Sequence, residues 1–352
     1  MTTAAVIHDP ILELASEEPS TQSLREFVET SGLQSLVVGT SKYPNAKITI
    51  LLVSPASGRP VLAVKAPTTD AAARAVESET RVLTEIRRLV PERLRLTIPR
   101  VVRVVEFGGR PAVVTTAVQG LLMTTSYVRW RHTASPARVA ADFAAVEAWL
   151  GDFQRETARE PAPVNMDAAV SARLQSRFAD DPLLDADLDR LAQMQERLRH
   201  STVVRTAIHG DMWFGNVLLS GGRASGVVDW EAGATSGEPV RDLVRFALMY
   251  ALYLDRRTRV GRRVVGHAGL RADGWGVGVE FALNGTGWFP DLFRGFLRDG
   301  LTRLGASPDG WRDAAVAGIA EVAALTDDHG FAQRHLELFR RTASQSTSKE
   351  GH

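Results

Sequence analysis

Asp211, Asn216 and Asp229 carry side-chain oxygens that can handle protons and hard metal ions, and they lie close together in the sequence. The first two belong to HGDMWFGNVLL (209–219), and the apolar runs VLL and VVDW are separated by the turn-forming stretch SGGRASG. This pattern predicts a β-hairpin whose closure would bring Asn216 beside Asp229 at the strand ends. An amide and a carboxylate oxygen suit Mg²⁺ shared with phosphates. Asp211 would remain to accept a hydroxyl proton, which is the division of labour that phosphoryl transfer needs.

A lysine and a glutamate far upstream offer a second clue. Lys65 ends the apolar run VLAVK, and Glu79 lies three and four residues from Val76 and Leu83 on one face of the next predicted helix. A carboxylate on a buried face is costly unless it is paired, and Lys65 is the obvious partner. A lysine held in this way can contact phosphate oxygens, although the pair could also be purely structural. Asp211 and Asn216 alone could likewise only cap a turn.

The remaining sequence must position these residues, and its hydrophobic periodicity changes near residue 120. The first part is predicted to be mostly antiparallel β-structure, with two hairpins and one inserted helix. The second part is predicted to be mainly helical, with a small β unit at 203–230. The predicted hairpin strands are 47–53 with 60–66 and 100–107 with 111–118; the predicted helices are 24–32, 70–90, one that starts at Ser135-Pro136, 183–200, 239–256, 311–325 and 330–342.

Composition excludes several classes of protein. With 352 residues and 44% hydrophobic residues, the chain can bury more than one domain-sized core. A net charge of +1 gives no global field that favours nucleic acid or an acidic membrane. The absence of cysteine excludes disulfides, thiolate metal sites and a cysteine nucleophile. No apolar run is long enough for a signal peptide or a membrane span, so we expect a soluble, cytoplasmic protein.

Five short motifs in the same order resemble those of the aminoglycoside phosphotransferase and choline kinase group, which are small-molecule relatives of the protein kinases. AIHGDMWFGNVLL is similar to the catalytic loop of that group, GVVDWE to its metal-binding segment, and VLAVK and ESETRVL to its lysine strand and glutamate helix. EPVRDL (238–243) resembles the segment that opens the following helix. The resemblance covers roughly residues 33–250, and one such motif alone would be weak.

The resemblance implies a role for each matching residue. Asp211 would be the catalytic base or the group that orients the acceptor hydroxyl, and Asn216 and Asp229 would hold Mg²⁺. Lys65 would contact the α- and β-phosphates of the nucleotide, and Glu79 would fix Lys65.

Other roles follow from the same resemblance. The stretch GTSKYPNAK (39–47) would cover the phosphates, with Ser41 as a contact, although it lacks the glycine-rich pattern of protein kinases. Thr116 and Val118 would present backbone groups to the nucleotide base, and His209 would be an architectural residue of the catalytic loop. The segment around Thr116 leaves ATP and GTP both open as the phosphoryl donor.

We therefore expect an α+β, two-lobed, protein-kinase-like fold, with a small antiparallel β N-lobe that contains one helix and a larger, mainly helical C-lobe. The expected divisions are an N-terminal arm and short helix at 1–30, a nucleotide-binding N-lobe at 31–118 and a catalytic C-lobe at 119–352. The expected activity is phosphoryl transfer to a hydroxyl of a small molecule, first a sugar, aminosugar or aminoglycoside. A choline or amino-alcohol kinase and a silent, nucleotide-binding pseudokinase are the alternatives. A protein kinase is disfavoured because no Ala-Pro-Glu segment follows Asp229 and HGD lacks the arginine of the protein-kinase loop.

Two charged stretches keep a double interpretation. Six arginines in 256–271 favour a solvated loop, but they would also suit an acidic or phosphorylated acceptor. Asp327 and Asp328 could meet a cationic acceptor, but a solvated helix end is the commoner explanation, and His329 is expected at the surface. The sequence leaves the oligomeric state open.

Overall fold

The computed structural model describes residues 22–41, 44–167 and 169–344. The predicted arm before residue 22 lies outside the described residues. The chain forms two compact units: Met1–Gln119 with Gly226–Ala232, and Gly120–Ser225 with Gly233–His352. The short segment that contains Asp229 therefore belongs to the first unit, more than 100 residues after the rest of it.

The first unit is built on a five-stranded antiparallel sheet with strand order β1-β2-β3-β5-β4. Both predicted hairpins are present in it. The strands are β1 Gln34–Thr40, β2 Lys47–Val53, β3 Pro60–Pro67, β4 Val101–Phe107 and β5 Arg110–Thr116.

Two helices cover this sheet, and a third, Glu92–Arg95 (α3), is a single turn. The helix Leu24–Ser31 (α1) begins with a capping box between Ser23 and Glu26 and ends at Gly32, which has a left-handed backbone with φ 66°. The helix Asp70–Leu89 (α2) begins at Thr69, whose hydroxyl accepts a hydrogen bond from the Ala72 amide.

The two faces of β3 explain how Lys65 reaches α2. Alternate residues of a strand point to opposite faces of the sheet. Leu62, Val64 and Ala66 are fully buried in the core cluster that includes residues of α1. Lys65 therefore points to the other face, where Glu79 of α2 lies.

The second unit is mainly helical. Its helices are α4 Met123–Tyr127, α5 Pro136–Glu156, α6 Val170–Arg177, α7 Leu184–Arg199, α8 Val240–Leu252, α9 Val277–Asn284, α10 Trp288–Arg303, α11 Trp311–Leu325 and α12 His329–Ser344. The predicted apolar stripe of α5 is buried as expected, from Val139 to Phe153. Within the described residues, no helix is long and apolar enough to cross a membrane.

Short strands flank the catalytic-loop segment. The strands are β6 Leu121–Leu122, β7 Pro161–Pro163, β8 Thr202–Val204, β9 Thr206–Ile208, β10 Val217–Ser220, β11 Arg223–Val227 and β12 Ala234–Gly237. β10 and β11 form the predicted hairpin beside β6, and the two residues between them, Gly221 and Gly222, both have positive φ. A two-residue turn of this kind matches the twist of the flanking strands. It favours glycine because both of its residues need a positive φ. β9 pairs with β12, and β7 pairs with β8.

Several elements were not expected from the sequence, and the longest of them are β1, α6, α9 and α10. β1 lies at the sheet edge with all seven residues exposed, so it lacks the alternation that reveals a half-buried strand. α6, α9 and α10 were also not predicted, although α10 has buried apolar residues at helical spacing from Phe289 to Leu301. Gly276 and Gly287 are the N-cap residues that immediately precede α9 and α10. Another glycine, Gly278, lies inside α9.

Gly278 provides a test of the packing between α9 and α8. A Cβ atom at Gly278 would lie 2.1 Å from the carbonyl oxygen of Ala251, whereas a Cβ at Gly274 would meet nothing within 4 Å. We expect Gly278→Ala to lower the free energy of unfolding by about 1–3 kcal/mol through overpacking. Gly274→Ala should change it by less than about 0.5 kcal/mol. Chemical denaturation measures both, and equal stability of the two variants would contradict this packing.

Candidate active site

Lys65 lies at the centre of a charged cluster in the first unit. Its Nζ is 2.7 Å from both carboxylate oxygens of Glu79 and 2.6 Å from Oδ1 of Asp229. The pairing of Lys65 with Glu79, which the sequence predicts, is therefore present, and Asp229 completes it.

Burial and charge oppose each other at Lys65. Burial disfavours the ammonium, but the carboxylates of Glu79 and Asp229 outweigh it and raise the pKa of Lys65 above its ordinary value. The side chain of Glu79 is 4% exposed and that of Asp229 is 33% exposed. Lys65 therefore stays charged at neutral pH, and one of its two partners is accessible to solvent.

The backbone around Asp229 is held in a strained turn. Asp229 has φ 71°, a left-handed conformation that non-glycine residues rarely adopt. The next amide, that of Trp230, donates to Glu79 Oε1 at 3.1 Å, and the fully buried indole of Trp230 donates to the Val227 carbonyl at 2.9 Å. Glu79 thus fixes both Lys65 and the turn that carries Asp229.

A second lysine, which sequence reasoning missed, lies beside the same aspartate. Lys47 Nζ is 3.8 Å from Asp229 Oδ1 and forms an ion pair with Glu231. Asn45 Nδ2 donates to Glu231 Oε1 at 3.3 Å. The only signal in the sequence was a lysine at the start of an apolar strand, and its partner Glu231 is nearly two hundred residues away.

Ser41 closes the loop that precedes β2. Its hydroxyl donates to the Asn45 carbonyl at 2.7 Å and accepts from the Lys47 amide at 2.9 Å. Lys42 and Tyr43 of this predicted phosphate-covering stretch lie outside the described residues.

Thr116 ends β5 near the end of the first unit's continuous segment. Its amide donates to the Arg100 carbonyl at 2.8 Å, and its hydroxyl accepts from the Arg100 amide at 2.9 Å. The Ala117 amide donates to Val61, and Val118 follows. The predicted contacts of Thr116 and Val118 with a nucleotide base stay predictions.

In the second unit, Asp242 anchors the catalytic-loop segment to α8. Its carboxylate accepts from the amides of His209 at 2.7 Å and Gly210 at 2.8 Å. Burial raises the pKa of Asp242, and His209 and the two amide hydrogen bonds oppose that rise. His209 is fully buried, and its Nδ1 accepts from the Asp211 amide at 3.3 Å.

Arg245, one turn further along α8, holds the carboxylate of Asp211. Its Nε and Nη2 donate to Asp211 Oδ1 at 2.9 and 2.6 Å. Asn216 Nδ2 donates to the Asp211 carbonyl at 3.0 Å and lies 3.4 Å from Asp211 Oδ2. The structure thus brings Asp211 and Asn216 together and adds an arginine that the sequence analysis did not identify.

Aromatic rings support the loop between these two residues. Phe214 stacks on Tyr127 with ring centroids 4.3 Å apart and meets Tyr250 and Tyr253 edge-on at 5.8 Å. The Trp213 ring covers Gly215 so closely that a Cβ there would lie 2.2 Å from it. Trp213 and Phe214 therefore pack around the loop that separates Asp211 from Asn216.

The acidic stretch before α12 serves a helix end. Asp328 Oδ1 accepts from the Phe331 amide at 2.9 Å, and the Asp327 carbonyl accepts from Arg177. His329 lies against Phe178, with ring centroids 5.8 Å apart.

Comparison with known proteins identifies the fold class and the family. The fold is that of a kinase-like phosphotransferase: a thermostable mutant of aminoglycoside phosphotransferase APH(4)-Ia in its apo form is 14% identical, with a TM-score of 0.56, and the alignment covers 91% of this chain and 98% of that one. The crystal structure of aminoglycoside phosphotransferase APH(4)-Ia is 15% identical with a TM-score of 0.53, covering 90% of this chain and 97% of that one. A ternary complex of a thermostable APH(4)-Ia mutant with AMP-PNP and hygromycin B is 14% identical with a TM-score of 0.52. The alignment covers 88% of this chain and 93% of that one.

The family model of the phosphotransferase enzyme family (APH) matches residues 49–278. Because this is well over half of the chain, the protein belongs to that family, and it is a small-molecule kinase by class. No curated protein matches the sequence.

The cluster around Lys65 provides a test of the first half of the site. Lys65→Met keeps the apolar stem but leaves the buried carboxylate of Glu79 without its cation. We expect this variant to lose about 3 kcal/mol of unfolding free energy, the usual cost of breaking a buried pair. The double variant K65M/E79Q should regain part of the loss because no buried charge is then unpaired. If K65M is as stable as the wild type in denaturant titrations, the cluster contributes nothing to folding.

Proposed function

We propose that this protein transfers the γ-phosphate of ATP or GTP to a hydroxyl of a small molecule, with Asp211 as the catalytic base. One observation carries the proposal: the carboxylate lies on an anchored loop and is held mainly through Oδ1, while Oδ2 receives only a long hydrogen bond, 3.4 Å from Asn216 Nδ2. Arg245 binds Oδ1 of Asp211, and Asp242 fixes the backbone just before it. Oδ2 is then the oxygen that can accept the proton of an acceptor hydroxyl as the bond to phosphorus forms.

The first unit supplies the groups for the nucleotide. Lys65 would bind the α- and β-phosphates, and Glu79 would hold its side chain in place, in line with the distances between these groups. Ser41 would contact the phosphates, and Thr116 and Val118 would bind the base. These roles are proposals from the resemblance, as are the lobe boundaries at 31–118 and 119–352.

The residues proposed for Mg²⁺ are Asn216 and Asp229. Because Asn216 donates through Nδ2, its carbonyl oxygen remains as a ligand, and the Asp229 carboxylate is a second hard oxygen ligand. No group of three or more His, Cys, Asp or Glu side chains forms a metal site in the described ranges. Two protein ligands fit a cation that takes the rest from phosphate oxygens and water. When bound, Mg²⁺ would neutralise negative charge on the phosphates.

For the acceptor, the proposal is a sugar, aminosugar or aminoglycoside alcohol in a cytoplasmic enzyme. A similar fold binds hygromycin B together with a nucleotide analogue. Choline or another amino alcohol is the second acceptor class. A pseudokinase would bind nucleotide but phosphorylate nothing, and the presence of Asp211, Asn216, Asp229 and Lys65 speaks against it.

Asp211 can be tested by removing its carboxylate. We expect Asp211→Ala to lower kcat by at least about 100-fold, the scale for a positioned acid–base group, while nucleotide binding is retained. A coupled assay for ADP release measures turnover, and calorimetry measures nucleotide binding. Asp180→Ala, at an exposed acid of the same unit, is the control and should leave both unchanged. Normal turnover in Asp211→Ala would exclude this residue as the base.

Asp229 can be tested through the dependence of nucleotide binding on Mg²⁺. Asp229→Asn is preferred to alanine because asparagine tolerates the left-handed backbone at this position. We expect the wild type to bind ATP more tightly with Mg²⁺ than with a chelator, and we expect Asp229→Asn to lose most of that difference. Calorimetric titrations under both conditions measure it. An unchanged difference would show that Asp229 does not hold the metal.

A further inference from the structure

A small pocket in the second unit is lined by four arginines. It has a volume of about 110 Å³ and lies between residues 127–134 and 253–265. Its arginines are Arg129, Arg131, Arg256 and Arg257, and its lining includes no acidic residue. We call it the arginine pocket. All four of these side chains are exposed.

Two of the four guanidinium groups lie over aromatic rings. Arg131 lies over the ring of Trp130 at 5.8 Å, and Arg256 lies over the ring of Tyr253 at 5.3 Å. Across the part of the chain that the structure describes, no ion pair involves any of the four arginines. Asp255 is next to Arg256 in sequence but does not line the pocket, and burial raises its pKa. The arginines are therefore available to an anion, which a planar guanidinium binds well.

The loop that carries Arg256 and Arg257 is fastened to the rest of the second unit. Within it, the Val264 amide donates to the Leu270 carbonyl at 3.0 Å. His267 Nε2 is 2.8 Å from the Thr133 carbonyl, which joins the two segments that line the pocket. Burial lowers the pKa of His267 to about 4, so this histidine stays neutral at physiological pH. The arginine-rich loop is thus held by hydrogen bonds and forms one side of the arginine pocket.

The arginine pocket adjoins the loop that carries Asp211. Tyr127 and Tyr253 line the pocket, and both rings contact Phe214, three residues after Asp211. Tyr253 caps α8, eight residues beyond Arg245. At a rise of 1.5 Å per residue, the separation along the helix is about 12 Å.

We infer that the arginine pocket binds a negatively charged group of the acceptor. This narrows the proposed acceptors to an anionic alcohol, such as a phosphate or sulfate ester of a sugar, and excludes polycationic aminoglycosides from them. This inference rests on the proposed phosphoryl transfer. A polycationic aminoglycoside would meet four like charges next to the catalytic loop, which slows association and weakens binding. An anionic group would gain charge-assisted hydrogen bonds there.

The test compares acceptors that differ only in charge. A neutral sugar and its monophosphate ester, a nucleoside and its monophosphate, and glycerol and glycerol phosphate are assayed with MgATP by ADP release, together with hygromycin B as a polycation. We expect the phosphate esters to have the lower KM. In R256Q/R257Q, the KM for a phosphate ester should rise at least about 10-fold, the loss of one or more charge-assisted hydrogen bonds, with little change in kcat. R259Q/R262Q, which removes two loop charges outside the pocket, should leave KM unchanged.

Direct binding of the same esters separates failure of this inference from failure of the proposed function. If neutral or cationic alcohols are phosphorylated with a KM equal to or lower than that of their anionic partners, the inference is overturned. The phosphotransferase function then still stands. If calorimetry detects ester binding that R256Q/R257Q loses, but no alcohol is phosphorylated, the pocket is supported and the proposed function is contradicted. If calorimetry detects no ester binding and turnover shows no preference for anionic alcohols, the inference is overturned.

Discussion

The buried pairing of Glu79 with Lys65 is the constraint on which the charged cluster of the first unit depends. A buried carboxylate is costly without a cation and hydrogen-bond donors, and Glu79 is buried. Lys65 supplies the cation and the Trp230 amide supplies a donor, so one buried acid joins strand β3, helix α2 and the distant Asp229 turn. Removing one partner leaves the others uncompensated, which makes the cluster a unit rather than a set of separate contacts.

In the second unit, a buried acid likewise fixes the segment that carries Asp211. Asp242 is buried at the start of α8, and its carboxylate is satisfied by the two amides that precede Asp211. Arg245 comes from the same helix and fixes one oxygen of Asp211. A single helix therefore sets both the backbone and the side chain of the proposed base, while Phe214 and its aromatic neighbours fill the space beneath.

Whether the sequence predicts a contact of the site depends on how far apart the two partners lie along the chain. Lys65 and Glu79 could be paired from sequence because strand and helix periodicity place them on facing surfaces within a short stretch. Lys47 with Glu231 and Arg245 with Asp211 could not, since each joins segments whose approach only the folded chain determines. Residue types and the motif resemblance together predict the roles of Asp211, Asn216 and Asp229, but they give the acceptor only as a broad class of small alcohols. The edge strand β1 escaped prediction because it is exposed along its whole length and has no alternating pattern. Helix α10 was missed although it has a regular apolar repeat from Phe289 to Leu301.

The central claim is that the γ-phosphoryl group passes to an alcohol and not to water. The most direct measurement uses ATP labelled with ¹⁸O in its γ-phosphoryl group. The protein is incubated with this ATP and each of the paired alcohols, and mass spectrometry identifies and quantifies the products. The account predicts a phosphorylated alcohol that carries the label and forms in equal amount with ADP. Labelled inorganic phosphate with no phosphorylated alcohol, or no consumption of ATP at all, would contradict it.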